Sequence, residues 1–366
     1  MAERGAVPQV SEARKRALRA VRSLFTPLLP DDYLELVNPL WSTQELRGRI
    51  ERIERETDTA VTVFIRPGYE WPGHRAGQYT RIGVVVDGVF HWRAYSLTSE
   101  PDHPDGFISI TPKRVDSGVV SPYLTGHARP GDIVRLGGVE GDFVLPEPPP
   151  DRLLFISAGS GVTPIMSMLC SLERRDAIAD VVHLHSARTD DDVIFGTRLQ
   201  ALRERHDDYR LHLQVTGRDG RIGPSHLDEL CPDWRERETF LSGPGELLDT
   251  MSEHWDREAD CDRLHLERFQ PKLGLGSGEE GEGGEILFAR SDTETEADGS
   301  TPILVAGEQA GLELPFGCRE GICHTCIGKL CSGRVRDLRN GKVYGQDGEM
   351  IRTCISAPEG RVEIEL

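Results

Sequence analysis

Three cysteines spaced C-x4-C-x2-C in PFGCREGICHTCIGKL (Cys318, Cys323 and Cys326), with a fourth, Cys354, in the later stretch IRTCIS, constrain this chain more than any other feature. Four thiolates on this spacing are the plant-type ligand set of a [2Fe–2S] cluster. The first three must lie on one tightly wrapped loop, and the fourth must be brought to it by a distant strand. Gly317 and Gly321 let that loop wrap closely, with amides free to point at sulfur where a side chain would obstruct. A four-cysteine zinc site is the alternative, but its usual form is two C-x2-C pairs, and here one pair stands with two singletons. Cys331 follows five residues after Cys326 and reads as a packed thiol, because the four positions are already filled.

A chain of 366 residues is long enough for two or three domains of roughly 100–150 residues each. It has no run of 18 apolar residues to span a membrane, and MAERGAVPQVSEARKR has no apolar stretch that would make it a secretory signal. A cytoplasmic location is expected. Reducing thiol pools there favour reading the eight cysteines as ligands, catalytic thiols or buried side chains over disulfides. A net charge of −18 repels nucleic acid, and no basic stripe interleaved with aromatics runs through the body of the chain. The same charge attracts a basic partner protein or simply confers solubility.

The first 45 residues stand apart. Arg14, Lys15, Arg16, Arg19 and Arg22 interleave with Ala17, Leu18, Val21, Leu24 and Phe25, the pattern of a basic amphipathic helix. Such a helix packs on its own protein, on a partner or on an anionic membrane surface. From residue 46 to 147, alternating stretches such as AVTVFIR and GFISITPKR between Pro-Gly and Asp-Gly turns predict an antiparallel β-barrel. The EPPP run at 147–150 ends it, since successive prolines donate nothing to a ladder. Residues 148–272 alternate strand and helix patterns (RLLFISAG, GVTPIMSMLCSLERR, VVHLHSAR), which predicts a parallel sheet covered on both faces. A linker at 273–284, rich in Gly, Ser and Glu, has little to bury, and a third unit at 285–366 carries the cysteines.

Within the α/β segment, ISAGSGVTPIMSML is a strand that turns through Gly159, Ser160 and Gly161 into a helix that Pro164 is expected to open at its first position. Helix N-terminal amides bind pyrophosphate, and glycines let the ligand approach. Ser186 and Arg188 of HSARTD, with Arg218 and Arg221 of GRDGRI, offer the hydroxyl and cationic donors that a 2′-phosphate needs, which favours NADPH over NADH. In the β segment, RAYS by itself is a strand with alternate polar residues; beside the other two motifs, its Arg93, Tyr95 and Ser96 offer a cation for a phosphate, an aromatic for a flavin ring and a hydroxyl for its N5.

Together RAYS, GSGVTP, SGPGEL and the cysteine spacing resemble the ferredoxin–NADP reductase superfamily, in the branch with a fused C-terminal ferredoxin domain, over residues 46–366. The resemblance implies a flavin-binding β-barrel, a nucleotide-binding α/β domain and an α+β β-grasp ferredoxin. It implies FAD held by Arg93, Tyr95 and Ser96, with Gly118, Val119, Val120 and Ser121 on its pyrophosphate. Gly159, Ser160, Gly161, Val162 and Thr163, with Gly243 and Pro244, would hold the nicotinamide nucleotide. His265, Glu267 and Phe269 match the family's way of ending this domain. The family usually has Cys-Gly-Pro near the nicotinamide; Ser242 replaces that cysteine here, so the local orienting contact differs. The implied activity passes electrons from NADPH through FAD to the cluster and outward. LLPDDYLELVNPLWS in the N-terminal part also resembles actinobacterial reductases that serve membrane-bound acyl-CoA desaturases. The same machinery serves Rieske oxygenases, hydroxylases and haem enzymes. An iron–sulfur sensor of oxidants would be expected to carry a DNA-binding or signalling segment, and none is visible.

Overall fold

The computed structural model of the chain describes residues 38–366, except 43–44, 87, 102, 117, 270–280, 313, 317–320 and 322–324. The basic stretch from Arg14 to Phe25 and most of the proposed linker lie outside the described residues. The described residues fall into two compact units: those up to 86 together with 95–268, and 87–94 together with those from 269 onward.

Six strands build the first part: β1 (Arg47–Arg55), β2 (Val61–Pro67), β3 (Tyr79–Val86), β4 (Val89–Ser96), β5 (Ile108–Ile110) and β6 (Ile133–Glu140). Their order in the sheet is β4-β3-β6-β1-β2-β5. The sheet closes on itself. Leu97, just past β4, bridges Ile110 of β5 antiparallel, and Thr98 N donates to Ser109 O at 2.8 Å. This is the expected antiparallel barrel. Its inward residues include Ile50, Val63, Ile65, Ile82, Leu97, Ile110 and Leu136, and the short helix α1 (Val120–Gly126) adds Val120 and Leu124 to that core.

The α/β part runs β7 (Leu153–Ala158), α2 (Val162–Arg174), β8 (Val181–Ala187), α3 (Gly196–Arg205), β9 (Tyr209–Val215), α4 (Thr216–Asp219), α5 (Ser225–Leu230), β10 (Glu238–Gly243), α6 (Gly245–Glu258) and β11 (Leu264–Arg268). The sheet order is β11-β10-β7-β8-β9, with every pairing parallel. Alternate residues of each strand enter opposite cores, which is why β7 and β8 read as unbroken buried runs. Phe155 and Phe240 join Ile165 and Leu169 of α2 on one face; Leu154, Ile156 and Leu241 join Met251 and Trp255 of α6 on the other. Arg237, 1% exposed at its side chain, ties this sheet together: its Nη2 donates to Asp180 Oδ2 and Asp233 Oδ2, each at 2.8 Å, and its Nη1 to Leu153 O at 3.2 Å.

The proline run separates the barrel from the α/β part along the chain but not in space. Ala60, Ala76, Phe143 and Leu145 belong to the same core as α2. Ser167 of α2 donates from Oγ to Ser99 O at 2.6 Å, and Arg174 from Nη1 to Pro101 O at 2.9 Å.

The C-terminal part contains β12 (Gly284–Phe288), β13 (Thr293–Ala297), α7 (Ile303–Gln309), β14 (Ile327–Ser332), β15 (Val335–Asp337), β16 (Val343–Tyr344), β17 (Met350–Arg352), β18 (Ser356–Pro358) and β19 (Val362–Glu365). A mixed sheet β13-β12-β19-β14-β17 lies with a second, three-stranded sheet β16-β15-β18. Ile303 and Ala306 of α7 pack with Ile286, Phe288, Leu330 and Ile364 of the larger sheet, the helix-on-sheet arrangement of a β-grasp. Strand β12 begins at Gly284, one residue inside the stretch that composition assigns to the linker.

Candidate functional site

The nucleotide turn is built from β7, a single 3-10 turn at Gly159–Gly161, and α2. Gly161 is required by space: a Cβ there would lie 2.1 Å from Ser242 O and 2.5 Å from Ser242 C, so the turn rests directly on the end of β10. Thr163 staples the turn by donating from Oγ1 to Ser160 O at 2.8 Å. Val162 and Thr163 are buried, and Ser160 is half-buried. Pro164 occupies the third helical position rather than the expected first. The amides of the first turn have no intrahelical partner, so a missing N–H costs nothing there either. Gly243 ends β10, and exposed Pro244 leads into α6, so a second strand-to-helix turn stands beside the first.

Ser186, 4% exposed, pairs in register with Ala158 at the end of β8, and exposed Arg188 follows it. Arg188 carries no ion pair among the described residues. Arg218 is engaged instead, with Nε 2.9 Å from Asp219 Oδ1 and Nη1 3.5 Å from Asp190 Oδ2, contacts that hold its pKa above the usual range, the Asp219 hydrogen bond foremost. Arg221 pairs with Glu246.

Register brings together residues that sequence spacing does not suggest. Glu267 of β11, Ser242 of β10, Ser157 of β7 and His185 of β8 are successive cross-strand partners and so share one face of the sheet. Burial, with a smaller contribution from the charge of Asp142, pushes the Glu267 carboxyl up to about 7. Ser242 is fully buried, and its Oγ has no hydrogen-bond partner among the described residues. The unmet hydroxyl beside the Gly161 turn suits a polar ligand group there. Ser157 Oγ lies 2.7 Å from His185 Nδ1 and 2.9 Å from His183 Nε2, and His183 Nδ1 lies 2.8 Å from the Tyr209 hydroxyl. Burial holds both imidazoles neutral, His185 down to about 4, and keeps Tyr209 protonated. The proton order that leaves fewest groups unmet runs from Tyr209 O–H through His183 and Ser157 to His185 Nδ1. This network braces the strand two residues before Gly159. The alternation in HLHS hints at it, but only the parallel register joins it to Ser157.

Arg93, Tyr95 and Ser96 lie on β4; Ser96 is 6% exposed and the other two are half-buried. Gly118 is exposed and Val119 half-buried ahead of α1, while Val120 and Ser121 are buried. Ser121 Oγ accepts from Val115 N at 3.1 Å, which fixes the turn that carries Gly118.

Cys318 and Cys323 lie outside the described residues. Cys326 and Cys354 are 1% and 2% exposed and belong to one small core with Leu304 and Ile355. Gly321 adopts φ +72, and a Cβ there would lie 2.5 Å from Ile355 Cδ1. Its N–H donates to Cys354 Sγ at 3.2 Å, the amide-to-sulfur contact expected of an iron–sulfur loop. Thr353 grips the other side, donating from N and from Oγ1 to Cys326 O at 3.1 and 2.8 Å. Two buried thiols, one of them facing a backbone N–H, fit a cluster. Cys331 is half-buried, with Sγ 3.8 Å from Lys329 O.

A closed barrel, a parallel nucleotide sheet and a cysteine-bearing β-grasp define a flavin-dependent, nicotinamide-linked reductase with an iron–sulfur domain. Comparison with known proteins agrees. Residues 52–145 match the oxidoreductase FAD-binding domain, 155–251 the oxidoreductase NAD-binding domain, and 287–359 the 2Fe-2S iron-sulfur cluster binding domain. An NADPH oxidoreductase of Mycobacterium tuberculosis is 46% identical over 354 residues, covering 96% of this chain and 92% of the relative. A glycine betaine monooxygenase reductase subunit of Pseudomonas aeruginosa is 30% identical over 335 residues, 84% of this chain and 89% of the relative. Among solved structures, phthalate dioxygenase reductase aligns with a TM-score of 0.59 at 22% identity, over 88% of this chain and 98% of that one. The chain belongs to the ferredoxin–NADP reductase superfamily, in the branch with a C-terminal [2Fe–2S] domain, and is an electron-transfer oxidoreductase using FAD, NAD(P)H and a [2Fe–2S] cluster.

Proposed function

We propose that the chain is an NADPH-dependent reductase that delivers single electrons to a separate acceptor protein. When bound, FAD takes up hydride and gives up electrons singly, and the cluster carries one electron at a time. The protein's part is to bind and orient. Arg93 holds the flavin phosphate, Tyr95 stacks on the ring, Ser96 places its hydroxyl near N5, and the turn at Gly118, Val119, Val120 and Ser121 takes the pyrophosphate. Gly159 to Thr163, with Gly243 and Pro244, seat the nicotinamide nucleotide, next to buried Ser242, whose Oγ has no hydrogen-bond partner among the described residues. Cys318, Cys323, Cys326 and Cys354 ligate the cluster.

The observation that carries the choice of NADPH is Arg188, exposed beside the buried Ser186 and without an ion pair among the described residues, while Arg218 and Arg221 are taken up by carboxylates. The 46% relative is itself named an NADPH oxidoreductase. Steady-state kinetics with NADPH and NADH test it: R188A should lose kcat/KM with NADPH alone, and equal losses with both would refute the assignment.

For the acceptor, the first reading is a membrane-bound fatty acyl-CoA desaturase, supported by LLPDDYLELVNPLWS and by the basic run Arg14 to Arg22, which suits an anionic membrane face. The second is an oxygenase component, favoured by relatives named as monooxygenase reductase subunits. Capture from the native host with and without residues 1–45 separates them. A membrane protein lost on truncation supports the first, and a soluble oxygenase retained by both forms supports the second.

A further inference from the structure

Arg352 lies at the end of β17, an edge strand of the larger C-terminal sheet, where register places it opposite Ile327, the residue after Cys326. Its Nη1 donates to Gly321 O at 2.7 Å, and it makes no ion pair among the described residues. Gly321 is the residue whose N–H reaches Cys354 Sγ. One guanidinium therefore holds the carbonyl of the glycine whose amide contacts the sulfur. It brings a full positive charge into the same few residues, and Cys354 is only two positions along the chain. The backbone around it is fixed: Ser356 Oγ donates to Arg352 O at 2.9 Å and Tyr344 OH lies 2.9 Å from Ser356 Oγ, while Leu304 N donates to Thr353 O at 3.0 Å.

We propose that Arg352 is a positioning residue that sets the reduction potential of the iron–sulfur centre, by pinning Gly321 so that its N–H stays on Cys354 Sγ and by adding its own charge. The proposal rests on the reading of Cys354 as a ligand. Hydrogen bonds to cluster sulfurs and nearby charge both shift the potential, because they stabilise the form that has gained an electron. A planar guanidinium bonded to a carbonyl is more closely held than an ammonium, so lysine replaces the charge but not the geometry.

The test is a dye-mediated redox titration of the anaerobic holoprotein, followed by the EPR signal of the reduced cluster, on the unsubstituted protein and on R352K, R352Q and R352A. Iron and flavin contents are measured in parallel. R352A and R352Q are expected to shift the one-electron equilibrium about tenfold toward the oxidised form, a midpoint 59 mV lower, and R352K by less. Unchanged midpoints in all three overturn the proposal. If R352A fails to retain iron, R352K and R352Q decide on the same terms. Loss of iron from all three, with flavin kept, overturns the claim too, since a role in holding the fold then accounts for Arg352. An unsubstituted protein without a [2Fe–2S] signal would refute the ligand reading itself, which is a separate failure.

Discussion

Gly161→Ala tests the architecture of the nucleotide turn with a single methyl group. The added Cβ would lie 2.1 Å from Ser242 O, 2.5 Å from Ser242 C and 2.8 Å from Gly243 N. All three neighbours are backbone, so no rotamer change relieves the clash. Either the turn or the end of β10 must move by about 1 Å to restore ordinary contact. Overpacking of this kind costs about 1–3 kcal/mol. The displaced parts are the two strand-to-helix turns assigned to the nucleotide, so binding should fall by about tenfold to a hundredfold. Gly159→Ala is the control. Gly159 has φ +55 but open space around its Cβ position, so only the left-handed backbone strain of about 1–2 kcal/mol applies. The assay is calorimetric titration with NADP+, read beside thermal melting. Wild-type affinity in G161A, or greater damage in G159A, would refute the reasoning.

Three further outcomes follow from particular contacts. In R188A, loss of a charge-assisted contact worth about 1.5–3 kcal/mol should raise the KM for NADPH and leave that for NADH unchanged. Glu267, half-buried with a folded-state pKa of about 7 above its unfolded value, contributes most below the unfolded value, and stability is lost as pH rises through 7. E267Q should flatten the pH dependence of chemical denaturation between pH 5 and 7, removing a total change of at most about 3 kcal/mol; a pH dependence equal to that of the unsubstituted protein would count against the raised carboxyl pKa. R237A leaves Asp180 and Asp233, each 36% exposed, without their shared partner and should cost about 2–4 kcal/mol, seen as a lower Tm. A change below the noise of the melt would show that the two carboxylates are solvated well enough to need no arginine.

The features legible in the sequence are those written locally. The cysteine spacing, the Gly-Ser-Gly turn and the strand of RAYS each sit within a few residues, and the periodicities of barrel and parallel sheet repeat over short windows. What stayed hidden depends on register or on closure in space. The row of Glu267, Ser242, Ser157 and His185 draws on four strands far apart along the chain, and nothing local marks it. The core shared by barrel and α/β part is masked by the EPPP run, which breaks the chain's pattern while Phe143 and Leu145 just before it still pack against α2. Arg218 and Arg221 read in sequence as cations for a phosphate; Asp219 already stands beside the first in GRDGRI, whereas Glu246, which pairs with Arg221, is brought from a distant helix only by folding. Arg352 is ordinary until Gly321 is found against it.

The central claim is that electrons leave through the cluster on the four cysteines, and the measurement that tests it most directly is anaerobic stopped-flow reduction by NADPH in Cys354→Ser beside the unsubstituted protein. Flavin bleaching should proceed at the same rate in both. Cytochrome c reduction should be lost in the variant, while ferricyanide, which draws on the flavin directly, is still reduced. Cytochrome c reduction at full rate in a variant shown to lack the cluster would contradict the account.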